Sequence, residues 1–145
     1  MKSLVASWQF WALMSAGFAA LTAIFAKVGV ENVGSDLATF IRTVVILAMV
    51  SGILVATRQW QPLRSVSGRT WSFLVLSGLA TGASWLCYFR ALKVGDAARV
   101  APLDKLSVVL VAVFGVLFLG EKLSLYNWLG VVMIALGVIL LTARL

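Results

Sequence analysis

The sequence predicts an all-α polytopic membrane protein with five transmembrane helices, and three observations lead to that fold class. Of the 145 residues, 62% are hydrophobic and only 12% are charged, whereas about a quarter of the residues of a soluble domain are charged. The apolar residues fall into five stretches, which charged or turn-forming residues separate. Each stretch is long enough, at about 1.5 Å per residue, to cross a hydrocarbon core of about 30 Å, two of them only just.

The five predicted spans follow one another with short connections. In chain order they cover residues 8–26, 37–57, 71–92, 97–119 and 126–143. The first could be mistaken for a secretory signal, but its length and the four later spans favour a transmembrane helix. The connections leave no room for a soluble domain. We therefore expect residues 1–145 to form a single membrane domain.

Composition also excludes several classes of site. The chain has no histidine and a single cysteine, Cys87, so we expect no metal site and no disulfide within the chain. A net charge of +7 would suggest a nucleic-acid partner for a soluble protein. In a membrane protein the same charge favours loops that face anionic headgroups. We accordingly expect no nucleic-acid partner, no cofactor and no enzymatic activity.

The basic residues outside the spans divide evenly between the two sides of the membrane. One side carries Lys2, Arg58, Arg64, Arg69 and Lys122, and the other carries Lys27, Arg90, Lys93, Arg99 and Arg144. The orientation of a membrane protein follows the excess of Lys and Arg in the short loops of one side, so an even division specifies the orientation only weakly. The cluster of Arg58, Arg64 and Arg69 in one loop slightly favours a cytoplasmic N-terminus. Two opposed copies would form an inverted-repeat assembly. The sequence thus leaves open a dual-topology antiparallel homodimer and a single orientation.

Three charged residues, Arg42, Asp104 and Lys105, fall within the predicted spans. Each costs about 2.5 to 3.5 kcal/mol at a helix centre, and such residues usually mark a substrate or ion path. All three lie roughly 5 to 8 Å from the middle of their helices, toward the same side, so Arg42 could pair with Asp104. The alternative is a buried pair that only fixes helix packing. Two cations against one acid favour an anionic or zwitterionic solute, and Asp104 is the in-span acid available to a coupling proton.

Pro102 predicts an interruption of the fourth span. If that helix begins after Asp96, Pro102 falls in its second turn, without an amide donor and against the carbonyl of Ala98. We expect a kink or break within residues 98–102, directly before Asp104, where freed backbone groups could meet a ligand. The alternative is a proline accommodated at the start of a helix.

A polar and aromatic face is predicted on the third span. Its members, at helical spacing, are Thr81, Ser84, Trp85 and Tyr88. These side chains could stack against or hydrogen-bond an amphipathic solute, and core packing is the alternative interpretation.

The segment that begins at Ala91 reads ALKVGDAARVAPLDKLSVVLVAVFGVLFLGEKLSLYNWLGVVMIALGVILL. A basic residue and a glycine precede the fourth span, APL precedes a Leu-Ser pair, LGEKL forms a turn and WLG opens the last span. In that order these features resemble the EamA domain of the drug/metabolite transporter superfamily. The earlier stretch SAGFAALTAIFAKVGV is similar to the first helix of the family, so the resemblance covers nearly the whole chain.

The resemblance implies a fold and an activity. Larger relatives carry two five-helix halves in inverted orientation around a central cavity, and this chain is similar to one half. That implies transport of a small metabolite by alternating access, two copies of the chain, and no universal catalytic residue. Because single halves resemble the short bacterial and archaeal members, the resemblance also implies a location in a prokaryotic cytoplasmic membrane. The four-helix multidrug relatives use an acidic residue in the first span, which is absent here, so a drug-cation antiporter of that type is not expected. The predicted substrate-binding residues are Arg42, Ser84, Trp85, Tyr88, Asp104, Lys105 and Ser107.

Three functional hypotheses follow. The first is a homodimeric secondary transporter that exports a small amino-acid-like, anionic or zwitterionic metabolite and has the lipid bilayer, its own second copy and a coupling proton or ion as partners. The second is a membrane subunit or assembly partner that transports nothing itself. The third is a flippase for a lipid-linked substrate, in which Arg42 and Lys105 bind the headgroup.

Overall fold

The computed structural model describes residues 7–143, and every long element in that range is an α-helix. The helices are α1 (Trp8–Gly29), α2 (Ser35–Ala56), α3 (Gly68–Val94), α4 (Ala97–Asp104), α5 (Leu106–Leu119) and α6 (Leu125–Thr142). Together α4 and α5 form one apolar span, so the described range holds five spans long and apolar enough to cross a membrane. The predicted fold class and number of spans are confirmed. Two residues used in the charge count, Lys2 and Arg144, lie outside the described range.

Several helices extend a few residues beyond the predicted spans. The first ends at Gly29 instead of residue 26, and the third runs from Gly68 to Val94 instead of over residues 71–92. The added residues include Lys27 and Lys93, whose ammonium groups donate to backbone carbonyls of the protein. Apolar patterning therefore locates the hydrocarbon segment, and the helix continues past it into the interface.

Most large apolar side chains are exposed on the isolated chain. Buried apolar residues are few: Ala23, Ala26, Val30, Phe89, Leu92 and Val138. A soluble protein rarely exposes contiguous apolar surface beyond a few hundred Å², whereas a membrane helix presents such surface to lipid tails. The burial pattern thus agrees with an integral, multi-pass membrane protein.

Residues 26–94 form one compact unit, in which α2 packs against α3. Leu92 and Val30 are its most completely buried side chains, and Phe89 is almost as buried. Thr39 is the buried polar residue of α2, and its hydroxyl donates to the carbonyl of Ser35 at 2.8 Å. The unit is therefore closed most tightly near the end of α3 that carries Phe89 and Leu92.

Of the described residues, 7–25 and 95–143 are grouped in a second unit, in which α6 packs against both α4 and α5. Helix α5 ends at Gly120, which has the left-handed φ of 68° that suits glycine. The amides of Gly120 and Glu121 both donate to the carbonyl of Gly115. A Cβ atom at Gly115 would lie 2.6 Å from Oε2 of Glu121. The LGEKL segment is thus a tight connection in which the Glu121 side chain lies against the preceding helix.

The break in the fourth span lies at Lys105, which corrects the expected position within residues 98–102. Helix α4 continues through Pro102 and ends at Asp104. The Lys105 amide then donates to the Pro102 carbonyl at 3.0 Å, a bond one residue shorter than in an α-helix. A helix already has the φ that proline requires, so it can pass through Pro102 with the loss of one hydrogen bond. The change of helical register appears one turn later.

Candidate functional site

Arg42 is the eighth of the 22 residues of α2, about 5 Å along the axis from the middle of the helix. Its side chain is partly buried against α3. The guanidinium carbon lies 4.2 Å from the centroid of the Trp85 ring and 5.5 Å from that of the Phe89 ring. Trp85 and Phe89 are one helical turn apart, so they present one aromatic surface to the cation.

This aromatic contact explains how Arg42 is tolerated at its depth. A desolvated cation–π contact contributes about 2 kcal/mol, close to the 2.5 to 3.5 kcal/mol that an arginine costs at a helix centre on insertion scales. Within residues 26–94 the acidic residues are Glu31 and Asp36, and Asp36 pairs with Arg90. The structure gives the Arg42 guanidinium no carboxylate partner within that unit. Within residues 26–94 its donors are therefore available to an anion.

The remaining members of the predicted polar and aromatic face differ in their surroundings. Tyr88 is partly buried and packs edge-on against Phe89, with ring centroids 6.4 Å apart. Ser84 is exposed, and the Thr81 hydroxyl donates to a carbonyl of its own helix. Among the predicted residues of this unit, the structure therefore brings together Arg42 and Trp85. Phe89 was missed, although its position four residues after Trp85 could have indicated it.

Asp104, Lys105 and Ser107 lie at the break between α4 and α5. The Lys105 ammonium donates to Oδ2 of Asp104 at 3.3 Å, with both side chains partly exposed. Ser107 is exposed in the first turn of α5. The neighbouring charges of Asp104 and Lys105 thus offset each other. The pairing of Arg42 with Asp104 stays a prediction, because the two residues belong to different units.

A pair of lysines, here called the lysine clasp, joins the last turn of α1 and the connection after it to the end of α3. The Lys27 ammonium donates to the Leu92 carbonyl at 2.9 Å. The Lys93 ammonium donates to three carbonyls at 2.7 to 3.2 Å, those of Val30, Glu31 and Val33. Cations near the carbonyl ends of helices are stabilised by unpaired acceptors and by the helix dipole. In the sequence these lysines count as orientation signals, and no local pattern indicates their contacts.

An ion pair lies at the same end of the unit. The Arg90 guanidinium forms a bidentate salt bridge with the Asp36 carboxylate, in which Nε donates to Oδ1 at 3.2 Å and Nη2 donates to Oδ2 at 3.1 Å. Asp36 lies in the first turn of α2, where a negative charge complements the helix dipole. The pair therefore connects the start of α2 to α3. With the lysine clasp included, all three cations at this end of the unit, Lys27, Arg90 and Lys93, therefore bind groups of the protein itself.

Comparison with known proteins adds a family and several relatives. The model of the EamA-like transporter family matches residues 6–143. The chain is 73% identical over 135 residues to an uncharacterized transporter in the cobO 3' region of Sinorhizobium sp, which covers 93% of this chain and 96% of that protein. No solved structure matches the chain.

Two more distant relatives differ in length and description. The uncharacterized transporter YxxF of Bacillus subtilis (strain 168) is 28% identical over 145 residues, covering 99% of this chain but only 45% of that protein. A probable 4-amino-4-deoxy-L-arabinose-phosphoundecaprenol flippase subunit, ArnE of Aeromonas hydrophila, is 35% identical over 82 residues. That match covers 57% of this chain and 67% of ArnE.

Proposed function

Because this chain belongs to the EamA-like transporter family, we propose that it is a homodimeric secondary transporter that exports a small anionic or zwitterionic metabolite by alternating access. An amino-acid-like compound is the favoured cargo. The family consists of transporters and not of enzymes, which confirms the general class expected from the sequence. Two parts of the proposal go beyond membership of a transporter family: the chemical class of the cargo and the assembly of two copies into a dimer.

The choice of cargo rests on Arg42. Its guanidinium lies on Trp85 and Phe89 at intramembrane depth and meets no carboxylate within residues 26–94. A carboxylate or phosphate can accept two parallel hydrogen bonds from a guanidinium, a pairing stronger than neutral hydrogen bonds. Asp104 and Lys105 pair with each other, so the proposed cargo is argued from the positive charge of Arg42 alone.

Two observations support a dimer of opposed copies. YxxF matches this chain over 45% of its length, so a protein of that length has room for two such units. With five spans, two successive units of one chain would insert in opposite orientations, the arrangement known as an inverted repeat. Two separate copies reproduce it only if they insert in opposed orientations, and the even division of basic residues permits this.

An efflux assay tests whether Arg42 binds the transported solute. Purified protein in liposomes is loaded with a panel of amino acids, organic acids and organic cations, and efflux is followed for wild type, Arg42→Gln and Arg42→Lys. We expect Arg42→Gln to abolish anion or zwitterion efflux and Arg42→Lys to keep part of it, since lysine supplies the charge but not the planar pair of donors. Arg99→Gln, which removes an equal charge outside the aromatic contact, should transport normally. Equal transport by Arg42→Gln and wild type would refute the assignment.

The similarity to ArnE favours a second candidate, a subunit of a flippase for a lipid-linked phosphate. In that case Arg42 would bind the phosphate of the lipid carrier. Vesicles that contain a fluorescent polyprenyl phosphate separate the two functions, because a flippase moves the probe between leaflets while soluble solutes stay inside. Gentle extraction followed by mass measurement tests the dimer, and recovery as a monomer alone would favour a subunit that needs another protein.

A further inference from the structure

The connection between α2 and α3, together with the first two residues of α3, forms a strongly basic surface, here called the basic loop and defined as residues 57–69. It contains Arg58, Arg64 and Arg69 and no acidic residue. Every residue of the loop except Val66 is exposed. Helix α2 is 22 residues long, about 33 Å, so the basic loop lies about one membrane thickness from the lysine clasp. The two ends of the unit therefore face opposite membrane surfaces.

The charges at the two ends are used differently. At the clasp end, Lys27 and Lys93 donate to backbone carbonyls and Arg90 pairs with Asp36. In the basic loop, the structure records no ion pair within residues 26–94 for any of the three arginines. Arg69 instead lies over Phe73, with its guanidinium carbon 5.9 Å from the ring centroid. The sequence divides its basic residues evenly between the two sides of the membrane, but within the folded unit the two ends differ. The cations at the clasp end have hydrogen-bond or ion-pair partners, whereas the positive charge of the basic loop is not compensated within residues 26–94.

Arg58 occupies a position that glycine usually takes. Its φ is 52°, and the amides of Arg58 and Gln59 donate to the carbonyls of Val55 and Leu54, the pattern of a left-handed helix ending. A side chain with a Cβ atom is strained in this conformation. The chain therefore holds a cation at the membrane end of α2 in spite of a conformational cost.

The loop also carries apolar side chains suited to an interface. Trp60 is 62% exposed and Leu63 is 64% exposed. Tryptophan is enriched at the headgroup level of membranes, and apolar side chains among cations are typical of surfaces that lie in the headgroup layer. Arginine binds phosphate through two parallel hydrogen bonds. Cationic and apolar groups thus occur together along a loop of thirteen residues, twelve of which are exposed.

From these observations we propose that the basic loop binds the headgroups of anionic phospholipids. A lipid fits better than a soluble phosphate, because Trp60 and Leu63 would enter the bilayer beside the arginines while the phosphates of neighbouring lipids meet the separate cations. The surface is distinct from the proposed transport site at Arg42. It serves the same role in either orientation of insertion, wherever the adjacent leaflet contains anionic lipid.

Native mass spectrometry of the protein in neutral detergent tests this surface. The protein is titrated with phosphatidylglycerol and, separately, with phosphatidylcholine, and bound lipid is counted. We expect wild type to prefer phosphatidylglycerol, and each neutralised arginine to weaken that preference by up to about five-fold. The variants are the triple substitution Arg58→Gly, Arg64→Gln, Arg69→Gln and its charge-keeping counterpart with lysine at all three positions. Arg58→Gly relieves the left-handed strain, so this single variant should fold at least as well as wild type.

The expected result is loss of the preference in the neutral triple variant, with retention in the lysine variant and in Arg99→Gln. Raising the salt concentration should weaken the wild-type preference, because exposed charges are screened. Equal binding of both lipids by wild type would overturn the proposal, as would an unchanged preference in the neutral triple variant. Competition by soluble glycerol phosphate at the concentration of the lipid would also overturn it, since that would indicate a free-phosphate site.

Discussion

Substitution of Lys93 by methionine should destabilise the α2–α3 unit measurably. The Lys93 ammonium has three N–H donors, and its nitrogen lies 2.7, 2.8 and 3.2 Å from three backbone carbonyl oxygens. A hydrogen bond to a charged group contributes about 1.5 to 3 kcal/mol when buried. Lys93 is exposed, so solvent screening reduces this contribution, and we expect a total loss of about 1 to 2 kcal/mol. Methionine keeps much of the length and apolar character of the side chain.

Unfolding by sodium dodecyl sulfate in mixed micelles, followed by the loss of helical circular dichroism, measures this change in the free energy of unfolding. Lys122→Met is the matched control, because Lys122 is an exposed lysine with no recorded hydrogen bond or ion pair in the described part of the chain. We expect the control to change stability by less than about 0.5 kcal/mol. Should Lys93→Met destabilise the protein no more than Lys122→Met, the three carbonyl contacts contribute nothing and the reasoning fails.

Three further predictions concern the candidate site and the helix ends. Trp85→Leu removes most of the aromatic surface under Arg42 and should lower transport more than Trp71→Leu, a change near the start of the same helix, measured by efflux from liposomes; equal effects would contradict the role of Trp85. Pro102→Ala restores an amide donor for the Ala98 carbonyl, so slower amide hydrogen exchange is expected in α4, and unchanged exchange would show that the proline does not weaken this helix. Gly120→Ala places a Cβ atom at a φ of 68° and should cost about 1 kcal/mol in detergent unfolding, whereas Gly78→Ala, in the middle of α3, should not.

The spans could be predicted because apolar length and composition are local properties. The predicted segment 97–119 coincides with the span formed by α4 and α5, and the predicted segment 8–26 differs from α1 only at its end. Pro102 removes an amide donor, which is also a local property, but α4 continues through Pro102 and the break expected within residues 98–102 lies instead at Lys105. The position of the break at Lys105 depends on how the following turn is hydrogen-bonded. Sequence spacing carries no information on that choice.

The site could be predicted only in part. Arg42 and Trp85 were both singled out by their residue types within apolar spans, but their contact requires α2 to pack against α3 with one particular face. Phe89 follows Trp85 by four residues and enters the contact for the same reason. The suggested pairing of Arg42 with Asp104 remains a prediction. A pair of charges in different helices depends on helix packing, which residue depth alone does not specify.

By itself the sequence determined the membrane class, the five spans, the total charge and the unusual depth of Arg42, since each depends on the type and order of neighbouring residues. The tertiary structure decided which charged side chains bind other groups of the protein and which can bind a ligand or a lipid. Lys27, Lys93 and Arg90 are equivalent to Arg58, Arg64 and Arg69 in a count of charges, yet the first three meet carbonyls or a carboxylate. That difference arises because electrostatic and hydrogen-bond energies depend on distances between atoms far apart in the chain, and only the packing of the helices establishes those distances.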